Sequence, residues 1–440
     1  MTEFVCRCSE RVLQGSILLM LLLVLGAAGV RAQYFPPTEG EEWESVSPAS
    51  LSWDSEALAE LLAFLDDRNT RAFVVLHRGR IVVEEYFAGA ARDDERVWYS
   101  AGKSLMAALV GMAQHEGLVS LDSATTDYLG RWTSMPEQDE RRITVWHQLT
   151  MTTGLDEDVS FGCTLRLCLQ KRVEPGQRWV YHNAPYSLLR DVVEQASGED
   201  LTDFTRNRLT STTGFTGHWQ ASGFNNFFYS TARSAARFGL LVRSGGDWQG
   251  TQVLPDTAFT RAMLVPSQEL NPSYGLLWWL NGQASYIPAD SPETMQGAIS
   301  THAPADALIA AGSQGQFISV APSLDLIMVR MGRDPGGGLA PLDFHDEIWQ
   351  RLRMVISSSS SAEAHPSRPQ LYMYPNPADG QVMVSGHQPG ELELFDVLGR
   401  RVLRVASTGA PTTLDISALP AGLYVVVAPG SRGGQVLMVQ

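Results

Sequence analysis

Two strand hairpins stand at opposite ends of a long helical stretch, and this order limits the fold more than any other feature. Near the start, Ala72-Phe73-Val74-Val75-Leu76-His77 and Ile81-Val82-Val83-Glu84-Glu85-Tyr86 flank Arg78-Gly79-Arg80 and read as a hairpin. Far down the chain, Gln316-Phe317-Ile318-Ser319-Val320 and Leu326-Ile327-Met328-Val329-Arg330 flank the turn Pro322-Ser323-Leu324-Asp325. Ahead of the first hairpin, Leu58, Leu61, Leu62 and Leu65 recur at helical spacing. After it, a helix is expected from Ser100 towards His115, ended by Gly117. Strands, then many helices, then strands predict an α+β fold: an antiparallel sheet completed by both ends of the domain, with flanking helices and a helical insertion.

The 440 residues exceed one ordinary domain. Residues 1–32 read as a signal peptide: an apolar run from Ile17 to Val30 follows a polar leader, and Val30-Arg31-Ala32 fits a cleavage site before Gln33. The run is shorter than the ~20 apolar residues of a membrane span, so no span is expected in the mature chain. An uncleaved anchor is the alternative. Residues 33–50, rich in Pro, Glu and Ser, read as a flexible leader. Residues 51–355 form the mixed domain. Five serines, Ser357 to Ser361, open a Ser/Pro-rich linker over 356–368. Residues 369–440 show short alternating strands between Gly and Pro turns, as in a small β-sandwich. A formal net charge of -15 argues against a nucleic-acid partner, which needs a basic face.

The chain holds two lysines, Lys103 and Lys171, against 31 arginines. Lys103 falls in an otherwise apolar helix, where a buried ammonium is expensive. Arg keeps its proton, whereas a desolvated Lys can lose it. A site that needs a proton acceptor can therefore use Lys and not Arg. Ser100 precedes Lys103 by three residues, which puts hydroxyl and amine on one helical face. The helix N-terminus disfavours a cation and favours an oxyanion. These features agree on an activated serine nucleophile. Ser-x-x-Lys alone is a common accident.

In order along the chain stand Trp98-Tyr99-Ser100-Ala101-Gly102-Lys103, Ile143-Thr144-Val145-Trp146-His147-Gln148-Leu149-Thr150-Met151-Thr152-Thr153-Gly154-Leu155, Pro175-Gly176-Gln177-Arg178-Trp179-Val180-Tyr181-His182-Asn183, Tyr274-Gly275-Leu276-Leu277-Trp278-Trp279 and Gly315-Gln316-Phe317-Ile318-Ser319-Val320. Together, over about residues 53 to 332, they resemble the β-lactamase-related serine hydrolases. That group takes in class C β-lactamases, DD-peptidases, esterases and 6-aminohexanoate-oligomer hydrolases. The resemblance implies that Ser100 is acylated and that Lys103 and Tyr181 share the proton transfers. It implies that Asn183 orients the lysine or the substrate, and that the backbone N–H groups of Ser100 and Gln316 form the oxyanion hole. It implies no metal or organic cofactor. Where the family often carries Lys-Thr-Gly or His-x-Gly, this chain reads Ser313-Gln314-Gly315. The missing cation favours an ester or amide substrate over a β-lactam or peptidoglycan stem carrying a carboxylate. β-Lactamase or DD-peptidase activity, and a non-catalytic peptidoglycan- or ligand-binding protein on the same fold, are the alternatives.

Ala311-Gly312-Ser313-Gln314-Gly315 also partly matches a nucleophile elbow, with His345 downstream. An elbow must turn from strand into helix, and the residues that follow here read as a strand. Cys163 and Cys168 are an even pair in an exported chain, so a local disulfide is one reading and two thiols the other. On a helix five positions would point the two apart, so a bridge requires a loop.

Tyr374-Pro375-Asn376-Pro377, Leu394-Phe395-Asp396-Val397-Leu398-Gly399-Arg400-Arg401-Val402 and Leu414-Asp415-Ile416-Ser417-Ala418-Leu419-Pro420-Ala421-Gly422-Leu423-Tyr424 resemble the type A sorting domain of the type IX secretion system. That implies export past the outer membrane to the cell surface or exterior of a bacterium, with the secretion machinery as partner. The expectation is an exported serine hydrolase acting on a small or oligomeric ester or amide.

Overall fold

The computed structural model describes residues 33–357 and 371–439, apart from positions 41, 160, 337–338, 375, 377, 386–387, 397–398, 410 and 430–434. The expected signal peptide and most of the Ser/Pro linker lie outside the described residues. The chain divides into two compact units, residues 1–359 and 360–440.

The larger unit is built on a six-stranded antiparallel sheet. Its strands are β1 (Thr70–His77), β2 (Arg80–Tyr86), β3 (Trp279–Leu280), β4 (Leu308–Gly312), β5 (Gln316–Ala321) and β6 (Leu326–Gly332). Their spatial order is β2-β1-β6-β5-β4-β3, so the first hairpin joins the last through β1 and β6. The β1–β2 turn is two residues long, and Arg78 and Gly79 both have positive φ (51° and 80°), as the twist of a tight hairpin demands. Adjacent residues of a strand face opposite sides. Ile318 of β5 meets Gly239 of helix α3 (Ala232–Arg243), where a Cβ on the glycine would come within 3.1 Å of the isoleucine. Phe317 meets Phe344 of helix α4 (Leu342–Ser357) at 6.2 Å between rings. Helix α1 (Ser55–Asp67) joins α4 on that second face, where Phe64 packs on Phe344. Asp54 caps α1, accepting from the Glu56 and Ala57 amides.

Helix α2 (Gly102–His115) is buried along nearly its whole length, as its apolar sequence requires. Gly111 lets it pass Phe259, whose ring would stand 2.4 Å from an added Cβ.

Residues 33–50 are a correction: the stretch expected to be a flexible leader is docked on the first hairpin. Trp43 is buried and its Nε1–H donates to the Gly79 carbonyl at 2.7 Å. The amides of Tyr34 and Val46 donate to the Arg78 and Ile81 carbonyls. Three aromatic side chains, Tyr34, Phe35 and Trp43, give this Pro/Glu-rich segment apolar area enough to hold it down.

The smaller unit has its own core, with Val382, Val384, Leu392, Leu394, Leu414, Tyr424, Val426 and Leu437 buried. Its strands β7 (Tyr372–Tyr374), β8 (Gln381–Ser385) and β11 (Thr412–Asp415) form one sheet. Strands β9 (Gly390–Asp396), β10 (Arg401–Ser407), β12 (Gly422–Val427) and β13 (Gln435–Val439) form a second, in the order β10-β9-β12-β13. Two antiparallel sheets closing on alternating apolar residues make the expected small sandwich. No described helix is long and apolar enough to cross a membrane.

Candidate active site

Ser100 lies in a single 3-10 turn, Tyr99–Ala101, that runs into α2 one residue later. The α-helix thus begins at Gly102 rather than at the serine. Tyr99 takes φ 46°, a conformation that costs a bulky residue free energy. The surrounding packing enforces it. Trp98 is 1% exposed, its Nε1–H donates to Ser230 Oγ at 2.8 Å, and its amide donates to the Phe228 carbonyl. The Tyr99 ring meets Phe227 edge-on at 5.3 Å.

The i, i+3 spacing brings the pair together. Lys103 Nζ lies 3.0 Å from Ser100 Oγ, its one hydrogen-bond partner among the described residues. The serine is partly exposed and the lysine is 3% exposed. Burial pushes the ammonium down from its ordinary 10.5 to about 7. Rings replace counter-charges around it: Nζ stands 4.2 Å from the centroid of Tyr186 and 4.9 Å from that of Tyr181.

Tyr181 is buried, and its phenol is pushed up by desolvation, opposed in part by a hydrogen bond with Ser100. It is therefore a neutral phenol at neutral pH and not a tyrosinate. Trp279 stacks on it at 6.0 Å and Tyr274 meets it edge-on at 6.5 Å, so the Tyr274–Trp279 segment forms the wall behind the phenol. Asn183 opens a short helix, Asn183–Ser187, and its Oδ1 is buried without a hydrogen-bond partner among the described residues.

Gln316 stands elsewhere than expected. It is the cross-strand partner of Gly312, and since the Ala307 carbonyl accepts from Asn281 on the β3 side, alternation along β4 turns Gly312 towards β5 and the Gln316 amide into the ladder between them. Its side chain accepts from the Gly332 amide at 3.0 Å and donates to the Gly332 carbonyl at 2.7 Å. Gly312 is the residue against the nucleophile: a Cβ there would stand 3.1 Å from the Ser100 nitrogen and 2.3 Å from the Trp98 carbonyl. Strand β3 pairs with β4 only at Leu308 and Ile309, which leaves the rest of that edge open.

The rival site is not assembled. Ser313 sits in a 3-10 turn between two strands, and no helix follows it. His345 is fully buried, lies 3.0 Å from Ser319 Oγ, and is pushed down to about 3 by burial. Cys163 and Cys168 are bonded, with Cα atoms 5.9 Å apart in a loop that holds a single 3-10 turn. That loop borders the site segment, since the Ala184 amide donates to the Phe161 carbonyl at 3.2 Å. Tyr186 and Gly312 were not singled out from sequence. Tyr186 follows Asn183 by one helical turn, which was the available signal.

Fold and site together are those of a serine hydrolase. The chain belongs to the β-lactamase family, whose model matches residues 59–345. The model of the secretion system C-terminal sorting domain matches residues 372–436, which marks the protein for type IX secretion to the cell surface or exterior. A relative from Alkalihalophilus pseudofirmus, itself uncharacterized, is 24% identical over 303 residues, 60% of this chain and 84% of that protein. A candidate 6-aminohexanoate-dimer hydrolase from Bacillus anthracis superimposes with a TM-score of 0.57 at 19% identity, over 76% of this chain and 91% of its own. A penicillin-binding protein homologue from Caulobacter crescentus gives 0.52 at 14% identity, over 73% and 100%. At these identities the structural likenesses speak for the fold alone.

Proposed function

We propose that the larger unit cleaves a neutral ester or amide through a Ser100 acyl-enzyme. The observation that carries this reading is the buried Lys103 amine, 3.0 Å from Ser100 Oγ and held near pKa 7 by desolvation, with no carboxylate bonded to it among the described residues. An uncharged amine can take the Oγ proton as Oγ attacks the substrate carbonyl. The proton then passes through the Tyr181 phenol to the leaving oxygen or nitrogen. The C–O or C–N bond breaks and the acyl group stays on Ser100. Water, deprotonated by the same pair, attacks the acyl carbon and releases the acid. Asn183 Oδ1 offers an acceptor to Lys103 or to a substrate N–H.

The oxyanion would be held by the Ser100 amide and the Ser313 amide. The Asn281 amide donates to the Ala307 carbonyl at 2.9 Å on the β3 side. Alternation along β4 turns Ala311 and then Ser313 to that same open edge, past the point where Gly312 touches Ser100. Residues 313–315 supply no cation for a substrate carboxylate, which supports neutral acyl groups over β-lactams.

Parallel rates on p-nitrophenyl acetate, p-nitrophenyl butyrate, a short amide and nitrocefin test the substrate class. The neutral esters should exceed nitrocefin in kcat/KM by about a hundredfold, the scale on which a site lacking a needed polar partner discriminates. Nitrocefin turned over faster than the esters would reverse the assignment.

A further inference from the structure

Arg330 is fully buried on β6 and makes no ion pair among the described residues. All five of its N–H donors are nevertheless used. Nε donates to Thr70 Oγ1 at 3.1 Å. One terminal nitrogen, Nη1, donates to the Gln314 carbonyl at 2.5 Å and the Gly315 carbonyl at 3.1 Å. The other, Nη2, donates to the Arg68 carbonyl at 2.8 Å and the Arg333 carbonyl at 3.1 Å. Phe344 lies under the guanidinium at 5.1 Å. Burial lowers its pKa to about 9, so it remains a cation at neutral pH.

A buried cation without a carboxylate needs a purpose beyond packing. Its two contacts through Nη1 fall on the turn between β4 and β5. Gln314 and Gly315 there take φ 61° and 70°, a bend that is costly at the glutamine. The Gln314 carbonyl shares a peptide plane with the Gly315 amide, and the Gly315 carbonyl with the Gln316 amide. Pinning both carbonyls fixes two successive planes at the exit of the turn. Gly312 against Ser100 fixes the entrance. Ser313 lies between the two anchors.

We propose that Arg330 is a positioning residue that clamps the Ser313–Gly315 turn from behind and so holds the Ser313 amide where the oxyanion forms. This rests on the acyl-enzyme reading above. Lysine cannot reproduce the clamp, because a point ammonium with three donors cannot span five acceptors.

The test compares wild type, Arg330→Lys and Thr70→Val by melting curve, by steady-state kinetics on p-nitrophenyl butyrate and by the rate of fluorophosphonate labelling. Thr70→Val removes the Nε partner but leaves both turn contacts, so it should cost stability and change kcat less than twofold. Arg330→Lys should lower kcat and labelling rate by about 30- to 100-fold with KM within threefold, the scale expected when an oxyanion donor is displaced. Should Arg330→Lys fail to fold, Gly315→Ala pushes on the clamp, since its Cβ would stand 2.9 Å from Nη1; the same kcat loss is expected. A labelled wild type beside an equally fast variant overturns the clamp alone. An unlabelled, folded wild type overturns the acyl-enzyme reading and the clamp with it.

Discussion

The lysine at the centre of the site can be interrogated through pH, because one cause, burial, sets both its reactivity and its cost. An amine moved from 10.5 to about 7 has its charged form disfavoured by roughly 5 kcal/mol. The base must be uncharged to accept the Ser100 proton, so kcat/KM should rise with pH through about 7 and level off above about 8. Between pH 6 and pH 8 the rise should be about tenfold; a lysine left at 10.5 would give about a hundredfold and no plateau. Stability carries the same signature with a definite sign. Between the folded and unfolded pKa values the unfolded chain binds more protons, so the stability of the wild type rises with pH in that window. Replacing the lysine by an apolar residue of similar length removes the effect. Lys103→Met should therefore be inactive yet stabilised, by roughly 3 kcal/mol more at pH 6 than at pH 9. Urea unfolding at the two pH values, together with an ester-hydrolysis pH profile, reads both quantities. A wild-type profile that climbs without levelling up to pH 9, or a Lys103→Met gain equal at both pH values, would refute the argument that burial tunes this amine.

Tyr181→Phe should leave the fold intact and lower kcat by about 10²- to 10⁴-fold, the worth of a positioned proton carrier, with KM little changed; steady-state kinetics checks it. Exchange of Cys163 and Cys168 together for serine opens a six-residue loop and should cost about 2 kcal/mol, read by thermal melting in the absence of reductant. Trp43→Ala strips the docked segment of its buried ring and its bond to Gly79, and should destabilise the larger unit by about 3 kcal/mol while leaving kcat within twofold.

The sheet was legible because its strands alternate or run apolar between sharp turns, so both hairpins and their union across the helical insertion could be drawn from patterning alone. Ser100 and Lys103 were legible for a related reason: helical spacing decides which side chains meet, and one lysine in an apolar helix stands out among 31 arginines. Backbone roles were less accessible. Which amide faces the nucleophile depends on strand register, and a shift of one residue turns every amide to the opposite edge. Gln316 was the natural choice from its motif, yet pairing with Gly312 turns it inward. Residues 33–50 misled because Pro and Glu outweigh three aromatics in composition, while three aromatics are enough to dock a short segment. Arg330 reads as one more strand residue; its five backbone and hydroxyl acceptors converge only in three dimensions.

Intact mass after incubation with a fluorophosphonate probe tests the central claim most directly, with wild type, Ser100→Ala and Lys103→Ala side by side at pH 8. The account predicts one adduct on the wild type, none on Ser100→Ala, and labelling slowed by about a hundredfold or more on Lys103→Ala. An adduct that persists in Ser100→Ala, or a folded wild type that takes none, would contradict it.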